Sequence, residues 1–321
     1  MTPTINQDKL PLISIIIPVY QVEQYISQCA ESLFQQDWPN LELIFVDNNT
    51  KDRSIEIVKE LIDSRYPQSR EYTRFVFQEK AGLGFAREAG IKAAKGEYII
   101  HVDSDDWVEP DYISTLAGKA VESKADLVYC GYFREYSGDK PTETVRLNDF
   151  TGKTGGEYIF AMHNNKVPAY MWNKLVHRSL YDIDNLIIPI RNMHEDMVYQ
   201  TQLAYGAKNI VYVPRPLYHY RSRRKDAITV MSWADKRLNS AEGLFYLYNH
   251  LPKTGSPLYY CAQDLLMRAV WYALSTFNFG TVNSNPDIVR FIKDMDYARG
   301  HRVPLIKQRV MKYYCKAIYH F

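Results

Sequence analysis

The feature that most constrains this chain is a rhythm. Over roughly its first 130 residues, short β-branched runs alternate with stretches whose apolar residues recur three and four apart. The runs are Ile13–Ile17, Leu41–Val46, Thr73–Phe77, Tyr98–Val102 and Leu127–Tyr132. Between them, Gln24–Phe34, Arg53–Ser64, Gly84–Lys95 and Pro110–Lys124 carry the helical spacing, with Asp52 placed to cap the second and Pro110 near the first turn of the fourth. Parallel strands need a crossover, which a helix supplies, so the alternation predicts an α/β fold: a mostly parallel sheet with helices on both faces.

Beyond residue 133 the pattern weakens into a polar loop with Gly138, Pro141 and Gly152, followed by a short helix at Gly156–His163. Glu195–Tyr205 reads as a helix. Ile210–Val213 and Leu217–Tyr220 read as short strands joined by Pro214 and Pro216, which favour edges and turns. Helical spacing resumes at 235–250, 257–277, 286–296 and 304–319. The chain therefore divides into an α/β domain over 1–230 and a helical C-terminal region over 231–321, with no internal repeat.

A composition of 46% apolar and 24% charged residues excludes disorder and collagen-like repeats, and 321 residues suffice for one large domain or two moderate ones. The run Leu12–Tyr20 is broken by Ser14 and Pro18, and no stretch reaches the ~18 apolar residues of a membrane span. Asn6 to Lys9, ahead of that run, lack the features of a secretory signal, so a cytoplasmic location is expected. Cys29, Cys130, Cys261 and Cys315 lie too far apart for a zinc knuckle and read as small buried residues. A net charge of +2 predicts no nucleic-acid partner. The 26 tyrosines suit stacking on a sugar or a base.

Ligands of open parallel sheets sit beyond the carboxyl ends of the strands, near the point where strand order reverses. Here those ends read Pro18-Val19-Tyr20, Asp47-Asn48-Asn49 and Asp103-Ser104-Asp105-Asp106. Three carboxylates within four residues repel one another unless they face water, cap the next helix or hold a hard cation. One reading is helix capping ahead of Pro110. The other is that Asp105, helped by Asp103, fixes a divalent metal whose remaining positions take diphosphate oxygens and water. Glycine-rich phosphate cradles are missing: Gly152-Lys153-Thr154 has Leu147 and Asn148 where a P-loop needs its first Gly, and Gly82-Leu83-Gly84 has Arg87 where a dinucleotide fingerprint ends. A nucleotide would then be held through metal and side chains. His194-Glu195 is no zinc-protease signature, because Val198 stands where the second His belongs.

Taken together, Ile16 to Tyr20, Phe45-Val-Asp-Asn-Asn-Thr-Lys-Asp52, Ala86-Arg-Glu-Ala-Gly-Ile91, Gly96 to Ile100 and Asp103 to Asp106 resemble the inverting family 2 glycosyltransferases of GT-A fold. The similarity continues through Trp172-Asn-Lys-Leu175, Glu195-Asp196 and Leu217-Tyr-His-Tyr-Arg221, and so covers about residues 11 to 230. The resemblance implies that Pro18, Tyr20, Glu23, Asp47, Asn49 and Ser104 line a nucleotide pocket, with Asp47 accepting a hydrogen bond from the base in a contact that selects uracil. It places Arg87 beside that pocket, Asp103 at the ribose or metal shell, Asp105 on Mn²⁺ or Mg²⁺, and Asp196 as catalytic base with Glu195 orienting the acceptor. Two departures stand out. Asp47-Asn48-Asn49-Thr50 replaces Asp-Asp-Gly-Ser, where Asn49 tolerates a left-handed backbone, and Glu88 follows Ala-Arg in place of Asn.

The chemistry so implied is transfer of a sugar from a nucleotide diphosphate, with a UDP-sugar expected, to a hydroxyl of a saccharide or lipid-linked acceptor in surface polysaccharide synthesis. The acceptor hydroxyl is a weak acid and needs a positioned base. For Glu195 and Asp196 the competing reading is stabilisation of a helix first turn, worth ~0.3–1 kcal/mol each. Tyr220 and Arg221 are expected over the diphosphate, in a forked guanidinium pair, with the basic run Arg223-Arg224-Lys225 behind them. His219 is either a metal or phosphate contact or a satisfied structural histidine. Trp172, with Tyr170, and Asp106 are candidates for the acceptor side, against a core role for the aromatics. In the tail, Ile306, Val310, Tyr313, Ala317 and Phe321 form one stripe flanked by Arg309, Lys312 and Lys316, a helix suited either to an anionic membrane surface or to its own domain. Two alternatives differ in class. A metal-dependent nucleotidyltransferase would need a glycine-rich basic loop where Tyr20-Gln21-Val22-Glu23 stand. An inactive nucleotide-sugar-binding scaffold would have no use for Asp196.

Overall fold

The computed structural model describes residues 10–136, 140–181, 186–189, 195–222 and 243–251, with the single positions 258, 262 and 266. Strand β1 (Ile13–Val19) is buried along all seven residues, as a central strand covered on both faces must be. Ile13, Ile15 and Ile17 point to one face, where α1 (Ile26–Phe34), α2 (Ser54–Ser64) and α4 (Tyr112–Ser123) supply Leu33, Val58 and Leu116. Ile16 points to the other, where α3 (Leu83–Ala93), α5 (Gly155–His163) and α6 (Glu195–Gly206) supply Ala86, Ile159 and Leu203. Full burial of each such isoleucine contributes about 1.5–3 kcal/mol.

The remaining strands are β2 (Leu41–Asp47), β3 (Thr73–Phe77), β4 (Tyr98–His101), β5 (Trp107–Val108), β6 (Leu127–Tyr136), β7 (Glu143–Val145), β8 (Lys174–His177) and β9 (Ile210–Ser222). They form one mixed sheet in the order β3-β2-β1-β4-β8-β6-β9-β5, with β7 on β6. The half made of β3, β2, β1 and β4 is parallel, and its order reverses between β1 and β4. A crevice opens at such a reversal, beyond the strands' carboxyl ends. The expected Rossmann-like α/β sheet is thus present.

Three short strands carried no readable pattern. Of these, β8 matters most: it inserts antiparallel between β4 and β6, so its first residue, Lys174, lies at the end of the sheet where β4 terminates. The two short strands expected around the prolines form one continuous β9. Its register against β6 jumps from Cys130↔Val213 to Gly131↔Pro216, so Pro214 and Arg215 bulge out as exposed residues and the missing proline N–H groups fall where the ladder is already interrupted.

Close packing brings α3 to the site. A Cβ on Gly90 would lie 2.3 Å from Ile16 Cγ2, so only glycine lets α3 rest this tightly on β1, and Arg87, one turn earlier, is held over the reversal point. Residues 243–250 are helical, as expected, and Leu247 and Leu251 pack with Val198 of α6. The rest of the 235–250 segment, the helices expected at 257–277, 286–296 and 304–319 apart from positions 258, 262 and 266, the basic run 223–225 and His194 lie outside the described residues. Among the described residues no helix is long and apolar enough to cross a membrane.

Candidate active site

The site is assembled from three loops and one helix end. After β1 the chain passes Tyr20, 47% exposed, and Gln21 in the left-handed region (φ 51°). It is then stitched to the loop after β2. Gln21 N–H donates to Thr50 Oγ1 (2.8 Å), Val22 N–H to Ser54 Oγ (3.1 Å) and Glu23 N–H to Asp52 Oδ2 (3.0 Å). Asp52, whose other oxygen accepts from Ser54 N–H, therefore joins two loops besides serving the start of α2. Glu23 is engaged as well, accepting from Arg53 N–H at 3.0 Å.

In the β2 loop, Asp47 Oδ1 accepts from Thr50 N–H (2.9 Å), an Asx turn that sets the carboxylate at the strand end. Asn49 has φ 58°, the left-handed geometry that glycine would otherwise supply. Buried Asn48 turns inward, and its Oδ1 accepts from Gly82 N–H at 3.2 Å. The residue that departs from the family's second acid thus ties the β2 loop to the start of α3.

The acidic turn after β4 closes through Asp106 N–H on Asp103 O (3.0 Å). Strand β9 supports it from below. Tyr218 Oη accepts from Asp103 N–H (3.1 Å) and donates to Asp106 Oδ2 (2.8 Å), and Arg221 N–H donates to Asp106 Oδ1 (2.7 Å). Asp106 is therefore a buried strut, its carboxyl pushed well up by burial and by Asp105 and Asp103, and not the acceptor contact expected of it. Ser104 is buried within the same turn.

Arg221 also differs from expectation. Its guanidinium is sandwiched between the rings of Tyr25 and Trp107, each 4.8 Å away. Its Nε donates to Asp105 O (2.9 Å) and one Nη to Gln28 Oε1 (2.8 Å). It braces the turn from behind and does not lie over a diphosphate. His219 is the structural histidine of the two readings: stacked between Trp107 and Phe133, it presents its ring nitrogens to Glu109 Oε1 (2.7 Å) and Glu135 Oε1 (2.8 Å).

Beside the acidic turn, α6 starts with Glu195 and Asp196 in its first turn. Both meet Arg87, which is 1% exposed. One Nη donates to Glu195 Oε1 (2.6 Å) and Asp196 Oδ1 (2.5 Å), and the other reaches Asp103 Oδ1 (3.2 Å). The structure thus brings together Asp103, Glu195 and Asp196 on a single cation, and three acids sharing one guanidinium repel one another in their ionised forms. Burial, then the charge of Asp196, pushes the Glu195 carboxyl up to about 8 against the opposing pull of Arg87. Burial likewise raises Asp103 to about 7.

Trp172 does not offer a sugar platform. It is 2% exposed, its ring stacked between Tyr170 (4.5 Å, 14°) and Tyr218 (4.2 Å, 17°). The partly exposed rings of this layer are Tyr170 and Tyr220, parallel to within 20°. Beneath them sits a residue that carried no functional signal in the sequence. The ammonium of Lys174 is fully buried and donates to Pro168 O (2.9 Å), Tyr170 O (2.6 Å) and Asn173 Oδ1 (2.9 Å). Three donors matched to three acceptors pin the 168–173 loop, although burial lowers this amine to about 7. Among the described residues no three His, Cys, Asp or Glu side chains form a group able to hold a metal ion.

A Rossmann-like sheet with an acidic turn at its reversal point and a second acid pair facing it defines the GT-A class of nucleotide-sugar enzymes. Comparison with known proteins makes the assignment. The model of glycosyl transferase family 2 matches residues 14–183. The chain is 36% identical over 217 residues to the putative glycosyltransferase EpsH of Bacillus subtilis, a match that spans 66% of this chain and 61% of that protein. It is 30% identical over 265 residues to EpsJ, an uncharacterized glycosyltransferase of the same organism, across 80% and 74% of the two chains. In fold it is similar to residues 1–349 of S. aureus TarS, solved in complex with UDP-GlcNAc, with a TM-score of 0.69, 17% identity and coverage of 95% of this chain and 87% of that one. The chain belongs to glycosyl transferase family 2.

Proposed function

We propose that this chain is a glycosyltransferase that moves a sugar, with inversion, from a UDP-sugar to a hydroxyl of a saccharide or lipid-linked acceptor, and that it depends on a divalent cation. The observation that carries the reading is the convergence of Asp103, Glu195 and Asp196 on Arg87 at the sheet's reversal point. It brings an acid of the β4 turn and the acid pair of α6 within hydrogen-bond reach of one guanidinium.

The donor set fits a hard cation. Asp103 and Asp105 offer carboxylate oxygens on one short turn, and the crowding of acids at Arg87 favours a further cation. Mg²⁺ and similar ions are commonly held by one or two carboxylates, with substrate phosphates completing the shell, so a set of three protein ligands is not required. Asp105, assisted by Asp103, would hold Mn²⁺ or Mg²⁺, and a bound ion would neutralise charge developing on the leaving diphosphate.

The chain's own residues supply the rest. Asp47, fixed by its turn, accepts from the base, and exposed Tyr20 borders the same opening. Asp196 accepts the proton of the attacking hydroxyl, help typically worth ~10²- to 10⁴-fold in rate, while Glu195 orients the acceptor. Attack from the face opposite the leaving group inverts the anomeric centre. The UDP-GlcNAc complex of TarS supports UDP as the nucleotide, and a lipid-linked acceptor in polysaccharide synthesis would suit a position on the inner membrane face.

Calorimetry with UDP and Mn²⁺ tests the donor side: Asp105→Ala should weaken binding at least about tenfold, equivalent to ~1.4 kcal/mol, and undiminished binding removes Asp105 from the cation. Asp196→Asn should keep UDP affinity and lose transfer, and a variant with ordinary turnover places the base elsewhere.

A further inference from the structure

We propose that Arg87 is a positioning residue: it fixes Asp196 for proton abstraction and links it to the donor-side acid Asp103, and it does not contact the nucleotide. The inference rests on the reading of Asp196 as the base. Three features of the geometry carry it.

Arg87 is sealed off from the opening, at 1% exposure, so nothing in the crevice reaches its guanidinium except through the carboxylates. Its orientation, moreover, is set by those carboxylates alone. Among the described residues Arg87 Nε, both ring nitrogens of His101 and the hydroxyl of Tyr181 are buried polar atoms with no hydrogen-bond partner, so the described side chains around the guanidinium offer it no other anchor. His101 is held neutral there, its imidazole pushed well down by burial and by Arg87. One Nη shared by Glu195 and Asp196, with the other on Asp103, therefore fixes both sides: the guanidinium by the acids, and the first turn of α6 by the guanidinium. Tyr199 Oη, donating to Gly84 O at 3.0 Å, ties the same two helices one turn further on.

The bonds are also unequal. Those to α6 are 2.5 and 2.6 Å, whereas that to Asp103 is 3.2 Å. Asp103 is the acid that would assist Asp105 in holding a cation, so the guanidinium grips the proposed base more closely than it grips the donor side.

The test is a double-mutant cycle of Arg87→Lys and Asp196→Asn, with two readouts. One is calorimetry with UDP and Mn²⁺. The other is hydrolysis of whichever UDP-, GDP- or dTDP-sugar the wild-type enzyme cleaves with Mn²⁺. Lysine keeps the charge but lacks the planar pair of nitrogens that spans from the α6 acids to Asp103. Arg87→Lys should hold UDP affinity within about threefold and lose at least about tenfold in turnover, since a misplaced catalytic group costs up to about 10²-fold. The double variant should be no slower than Asp196→Asn alone. A tenfold loss of UDP affinity with turnover intact, or losses that multiply in the double variant, overturns the inference. If Arg87→Lys fails to fold, Arg87→Gln, which removes the charge, is read the same way: a tenfold loss of UDP affinity with turnover intact overturns the inference. An Asp196→Asn enzyme at wild-type turnover, or a wild-type enzyme that cleaves no nucleotide sugar, instead sinks the chemistry on which the inference rests.

Discussion

A buried carboxylate is useful as a base only if something holds it open, and the Glu195–Asp196 pair shows what that costs the fold. Glu195 titrates near 4.5 when unfolded and near 8 when folded, with burial as the main cause. Between those values the native state binds more protons than the unfolded chain, so this group makes stability fall as pH rises from about 4.5 to 8. Asp103, raised to about 7, acts in the same direction. Urea midpoints measured without divalent cation should therefore decline across this window, and Glu195→Gln should flatten the decline; a slope unchanged in the variant removes Glu195 as its source. Asp47, Asp103 and Asp105 stood out in the sequence as acids at strand ends, whereas Glu195 and Asp196 were singled out only through the family resemblance, since acids in a helix first turn are favoured by its dipole anyway. The burial of Asp106, the double stack around His219 and the enclosed ammonium of Lys174 were not legible there. Each depends on a partner some 80 or more residues away, or on a loop folding back over it, and the residue itself looks like any surface polar group.

Among the elements, long and strongly patterned ones were read correctly to within two residues or so at most ends, since burial on both faces favours apolar side chains at most positions of β1, β2 and β4. Short elements were not. Strands β5 and β8 have two and four residues, too few for a period of two to show, and they form because neighbouring strands offer unpaired edges. The β9 prolines suggested a break and instead mark a bulge, since what decides between the two is whether β6 runs alongside. Packing of α3 on β1 gives a prediction at this scale. Gly90→Ala would force its methyl group onto Ile16 Cγ2, and overpacking a closed interior costs about 1–3 kcal/mol. The melting temperature should fall and, because Arg87 rides on the same helix, turnover should fall with it. An unaltered melting temperature would show that α3 has slack to shift.

For the molecule as a whole, the open question is where the basic tail goes. If its apolar stripe and flanking cations rest on anionic lipid, deleting residues 304–321 should weaken sedimentation with phosphatidylglycerol-containing liposomes, most visibly at low salt. Equal partitioning of the truncated protein would favour docking on the domain. The placement of the charged centre has a consequence of its own. Arg87 meets Asp196 across 109 positions, and Arg221 meets Asp105 across 116. During synthesis, the segment bearing Arg87 and the acidic turn leaves the ribosome long before its counter-charges and braces do. A nascent chain halted before residue 195 holds Arg87 and the acidic turn without Glu195, Asp196, Tyr218 or Arg221, so a polypeptide ending there should cleave no sugar nucleotide.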